Sequence, residues 1–76
     1  MIGRSEVKQY AVIYEKGREE LAAYVPDLPG CISTGETRAE VERNIKDAIE
    51  YHIEGLKEDG QAVPEPASEV GIVQVA

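Results

Sequence analysis

The chain has 76 residues, with 15 acids against 8 bases for a net charge of −7, one cysteine and one histidine. A chain of this length forms one domain, residues 1–76, and buries only about 60% of its unfolded surface. Cys31 alone excludes an internal disulfide, His52 beside it gives no zinc-ligand pattern, and the acidic balance disfavours direct nucleic-acid binding.

With disulfides and metals set aside, self-association is the remaining reinforcement for so small a core, so a homo-oligomer (dimer or higher) is expected. The first residues, Met1-Ile2-Gly3-Arg4-Ser5-Glu6, lack the apolar run of a signal peptide, and no apolar stretch approaches about 18 residues. No membrane partner is expected, and the setting that fits is reducing and cytoplasmic.

Residues 7–14, VKQYAVIY, are rich in β-branched and aromatic types and predict a first strand. Its alternating faces are Val7, Gln9, Ala11, Ile13 and Lys8, Tyr10, Val12, Tyr14. A charged turn at Lys16-Gly17-Arg18 leads to a second strand over residues 21–25, LAAYV, with Leu21, Ala23 and Val25 on one face and Ala22 and Tyr24 on the other. Both faces of the hairpin are apolar, and a single helix covers only one. The other face, with its tyrosines, needs a neighbour.

Pro26-Asp27-Leu28-Pro29-Gly30 ends the second strand, because proline cannot donate to a ladder and Pro-Gly favours a turn. Residues 31–34 predict a short third strand. The clearest element is a helix over residues 38–59. Thr37 is its N-cap, Glu40 completes a capping box, and Gly60 ends it in a left-handed conformation. Val41, Ile45, Ala48, Ile49, Ile53 and Leu56 form an apolar stripe about 140° wide. Such a helix spans about 33 Å, longer than a short sheet covers, so one end overhangs the sheet or meets another subunit. A proline-bearing linker over residues 61–66 precedes a predicted last strand at residues 70–76, VGIVQVA.

Little in the chain suggests catalysis. His52 lies on the apolar arc, where it is either a general base or a hydrogen-bonded histidine at the core edge; no partner constellation favours the first. Cys31 is either a nucleophile or a small buried thiol, and free cysteine usually behaves as the second. Metal-assisted phosphoryl chemistry needs acids converging from strands or helix ends. The middles of the first two strands are Ala11-Val12-Ile13 and Ala22-Ala23 instead, and no glycine-rich phosphate loop is present. No catalytic, cofactor-binding or metal-binding residue is predicted. Gly55 inside the helix costs about 1 kcal/mol relative to alanine. It reflects either tolerance near a fraying end or close approach by a second subunit, with Tyr51 nearby.

The stretch AAYVPDLPGCISTGET over residues 22–37, followed by Asn44, Ala48-Ile49 and IEYHIEGLKEDGQAVPEP over residues 49–66, resembles the HicB-like antitoxins. The resemblance implies an α+β, two-layer β-β-β-α-β fold with an antiparallel sheet and one long helix on one face, likened to a partial, non-catalytic ribonuclease H core. It also implies a type II antitoxin whose partner is a small basic ribonuclease toxin. Many members continue into a C-terminal DNA-binding domain. This chain reads as a short form without one, so no direct nucleic-acid binding is expected from it.

The expected function is therefore an antitoxin-like protein-binding module that neutralises such a toxin by direct contact. The alternative is an orphan self-associating structural or regulatory domain with no cognate toxin. A residual nuclease, the enzyme-class reading, rests on fold analogy alone. The expected partner-binding residues are Tyr10, Tyr14, Tyr24, Asp27, Leu28, Pro29 and Gly30, and the expected oligomer contacts are Tyr51 and Gly55.

Overall fold

The computed structural model describes residues 8–76. Three strands, β1 (Ile13–Lys16), β2 (Leu21–Tyr24) and β3 (Ile32–Gly35), precede one helix, α1 (Arg38–Glu58). The strands form an antiparallel sheet in the order β1-β2-β3, and α1 lies over β3 and β2. The architecture is the α+β fold anticipated from the sequence.

Two elements differ from expectation. The first strand starts at Ile13, whereas the sequence pattern placed it at residues 7–14; Val7 lies outside the described residues. Its ladder begins at the Ile13–Tyr24 pair because β2 stops there. Beyond Tyr24 the Val25 N–H turns away to donate to the Cys31 carbonyl at 3.1 Å, and Pro26 has no N–H to offer. Residues 9–12 consequently have no ladder partner among the described residues. The predicted last strand is also not formed: residues 70–76 carry no secondary structure. β-propensity alone does not make a strand, since the backbone groups need an edge to pair with.

The loop over residues 25–31 consists of two consecutive turns. Leu28 N–H donates to the Val25 carbonyl at 3.1 Å, and Cys31 N–H donates to the Leu28 carbonyl at 3.0 Å. Pro29 and Gly30 occupy the central positions of the second turn, and Gly30 takes φ +86°. That value at the third residue, after proline, identifies a type II turn, which disfavours any residue with a Cβ there. The Val25–Cys31 bond closes the base of the loop. A rigid loop results, and it drives Leu28 inward to complete burial.

The helix begins and ends as its sequence dictates. The Thr37 hydroxyl accepts the Glu40 N–H at 3.1 Å, and the Glu40 carboxylate accepts the Glu36 N–H at 2.6 Å, one residue ahead of the cap. At the far end Gly60 adopts φ +73°. Gln61 N–H then donates to the Leu56 carbonyl at 2.8 Å and Gly60 N–H to the Lys57 carbonyl at 3.1 Å. This pair of bonds is the Schellman arrangement. Asn44 Nδ2 donates to the Thr34 carbonyl at 2.9 Å and fastens α1 to β3.

The buried core is Ala23, Val25, Leu28, Cys31, Val41 and Ile45. Ala23 comes from β2, Val41 and Ile45 from α1, and the other three from the loop. Tyr10, Val12, Tyr14, Leu21, Ala48, Ile49 and Ile53 pack around it at partial burial. Leu28→Ala should therefore cost about 2–5 kcal/mol, a large share of the roughly 5–15 kcal/mol of a small domain. The drop in urea midpoint measures it. A change within experimental error would show that the loop is not part of the core.

Candidate functional site

Cross-strand partners share a face of a sheet, so the register divides the side chains. Tyr14, Ala23 and Ser33 form one row, and Ile13, Tyr24 and Ile32 form another on the opposite face. Ala23 is buried beneath α1, so the first row faces the helix. The second row, with Glu15, Ala22 and Thr34 beside it, lies on the face that α1 does not cover. Tyr24 is 36% exposed and Ile32 60% exposed there.

The tyrosines therefore do not share a face, contrary to the sequence-based expectation. The Ile13–Tyr24 register places Tyr24 opposite Ile13, which puts Tyr14 on the other side. The Arg38 guanidinium sits 3.7 Å from the Tyr14 ring centroid, a cation–π contact that ties the helix start to β1. Arg38 Nε also donates to Glu42 at 2.9 Å. Tyr10 donates its hydroxyl to the Pro64 carbonyl at 2.5 Å. Burial pushes the Tyr10 phenol above its ordinary pKa, Lys8 opposes this, and the Glu65 and Asp27 carboxylates add to it. Of the three tyrosines, Tyr24 alone looks out from the open face.

The loop residues also separate. Pro29 and Gly30 are exposed, whereas Leu28 is wholly buried and unavailable to a partner in this conformation. Asp27 is engaged within the chain. Its Oδ2 accepts the Ala67 and Ser68 N–H groups, each at 2.9 Å, and its Oδ1 accepts the Ser68 hydroxyl at 2.9 Å. These bonds, the Ser68 N–H foremost, hold the carboxyl below its ordinary pKa. With the Lys8–Glu65 ion pair at 2.9 Å, they fix residues 64–68 across the domain. No local sequence signal announces this clamp, because its halves are separated by 40 and 41 positions.

Tyr51 is 81% exposed on α1, and a Cβ added at Gly55 would meet open space. Nothing in the chain itself requires glycine at position 55. His52 is half-buried on α1. Cys31 is buried, and burial pushes its thiol pKa upward. Among the described residues no group of three or more histidine, cysteine, aspartate or glutamate side chains could hold a metal ion. No described helix is long and apolar enough to cross a membrane.

Two measurements probe this arrangement. Asp27→Ala should accelerate hydrogen exchange at the Ala67 and Ser68 amides while the Val41 and Ile45 amides stay protected. The depressed carboxyl pKa means the clamp is complete above the ordinary value of 3.8 and is lost as pH falls through the lower folded value. Unchanged exchange in the variant would rule out the clamp. Separately, Cys31 should resist thiol-modifying reagents in native buffer and react once urea unfolds the chain.

A family model described as the HicB_like antitoxin of bacterial toxin-antitoxin system matches residues 10–75. An uncharacterised 14.9 kDa protein of Haemophilus phage HP1 is 44% identical over 55 residues, covering 72% of this chain and 41% of that protein. The chain thus spans about two fifths of the phage protein's length. A UPF0150 protein of Thermoplasma acidophilum is 39% identical over 62 residues, covering 80% of this chain and 90% of its own length. A UPF0150 protein of Synechocystis is 40% identical over 60 residues, covering 78% of this chain and 76% of that protein. With the match running from Tyr10 on the helix-facing side through the clamp and into the C-terminal segment, the chain belongs to the HicB-like antitoxin family.

Proposed function

We propose that this chain acts in the cytoplasm as an antitoxin that neutralises a small basic ribonuclease toxin by direct binding, without catalysis of its own. Family membership over residues 10–75 is the observation that carries the reading. The open sheet face supplies a matching surface. Ile13, Tyr24 and Ile32 offer an apolar row, and Glu15 lies on the same face. Glu19 and Glu20 are exposed at the neighbouring hairpin turn. In a chain of net charge −7, these acids favour a basic partner and speed its approach.

Tyr24 is the anchor in this reading, with Pro29 and Gly30 as exposed neighbours on the loop. Tyr10, Tyr14 and Asp27 contribute indirectly, since each already holds a contact within the chain. Leu28 supports the loop from inside. The protein forms homo-oligomers, and the exposed Tyr51–Gly55 face of α1 is a contact surface between subunits.

The test is to identify whether a small basic protein is encoded beside this gene and to co-express the two, followed by calorimetry of the purified pair. Tyr24→Lys and Ile32→Lys should each weaken binding at least about tenfold, roughly 1.4 kcal/mol, with unchanged circular dichroism. The association rate should fall as salt rises. Full neutralisation by both variants would move the interface off this face, and no binding to the basic neighbour would overturn the reading.

A further inference from the structure

The C-terminal segment is built like a strand but has nothing to pair with. Val70, Ile72, Val73 and Val75 are 70%, 93%, 85% and 81% exposed. Four β-branched side chains in water are an unfavourable arrangement for a chain with so small a core. The segment is not an appended linker either, because the family match runs through residue 75. The clamp at Asp27 fixes Ala67 and Ser68 to the loop, and the chain leaves the body from there. The molecule is correspondingly elongated, with a radius of gyration of 14.6 Å, against about 11 Å for a compact chain of this length.

A groove of about 510 Å³ complements this segment. Tyr10, Val12, Ile45, Ile49, Ile53 and Val63 form its apolar walls. Residues 9–12, on one side of it, have no ladder partner among the described residues. From Ile45 to Lys57 the helix side of the groove runs about 18 Å. Residues 70–76 in extended form span about 23 Å. The lengths match. Charge does not oppose the fit: with Lys8 paired to Glu65, Lys46 and Lys57 line the groove beside the acid Glu50, and Glu69 precedes the uncharged segment. At the opposite edge of the sheet, Asn44 already occupies the Thr34 carbonyl.

We propose that residues 70–76 of one copy add as a strand along residues 9–12 of a second copy, over this groove, and that the exchange is reciprocal. A two-fold dimer results, with each subunit's core extended by the other's C-terminal strand. Each chain's own segment follows its clamp and stays exposed, and residues 63–65 already border the groove through Val63 and the Tyr10 and Lys8 contacts. The Tyr51–Gly55 face of α1 stays free for higher-order contact.

Analytical ultracentrifugation of the full chain, with two kinds of variant, tests the proposal. The wild type should sediment as a dimer at micromolar concentration. Ile72→Asp with Val75→Asp should weaken dimerisation at least about tenfold with circular dichroism retained, and Asp47→Asn, at an exposed helix position outside the groove, should leave the dimer intact. Because Cys31 is buried, a cross-link can report the pairing directly. Separately purified Val12→Cys and Ile72→Cys chains, mixed and oxidised, should join more efficiently than either chain alone. A monomeric wild type, a dimer indifferent to the charged segment, or a Val12→Cys/Ile72→Cys double variant that closes within one chain would each overturn the exchange. The outcome is separable from toxin neutralisation, since a monomeric variant that still neutralises leaves that reading standing.

Discussion

Burial of Leu28 beneath α1 is the constraint on which the remaining structure depends. A chain of 76 residues cannot form a core from three four-residue strands and one face of a helix. The loop supplies the missing part. Two successive turns, the second made possible by Pro29 and the positive φ of Gly30, lower Leu28 and Cys31 to meet Val41 and Ile45. The same turns remove Val25 from the ladder, which is why β2 ends at Tyr24 and β1 starts at Ile13. A motif that looks like an exposed recognition loop is in good part a structural plug.

That arrangement governs what remains for binding. The helix takes one side of the sheet, and Arg38 over Tyr14 secures its first turn to β1. Asp27, at the rim of the loop, holds residues 67–68 through backbone N–H groups, bonds that satisfy donors with no strand to pair with. Among the described residues, unsatisfied surfaces include the Ile13–Tyr24–Ile32 row and the groove between α1 and residues 9–12. The first is the surface proposed for a basic partner and the second the one proposed for the C-terminal segment of another copy. They lie on different parts of the fold, so the proposed toxin binding and the proposed strand exchange need not compete.

The long helix was fully legible because its determinants are local. Thr37, Glu40 and Gly60 act within one turn of themselves, and the apolar stripe repeats at the helical period. The family, too, was legible from the run of residues 22–37 and the helix end. The partition of the tyrosines was not. Alternation within one strand says which residues share a face, but only pairing between strands says which of two apolar faces meets the helix. The fate of residues 70–76 was illegible for a related reason: their composition favours a strand, yet an edge in reach decides whether one forms.

The sequence by itself thus determined an acidic chain of α+β class, its capped helix, its turns and its family. Each follows from chemistry between near neighbours or from an ordered motif. Only the tertiary structure decided that Leu28 belongs to the core, that Asp27 clamps a segment some 40 positions away, and that Tyr24 and Ile32 stand on the open face. Those outcomes depend on strand register and on contacts between distant residues, where a shift of one position reverses every side chain.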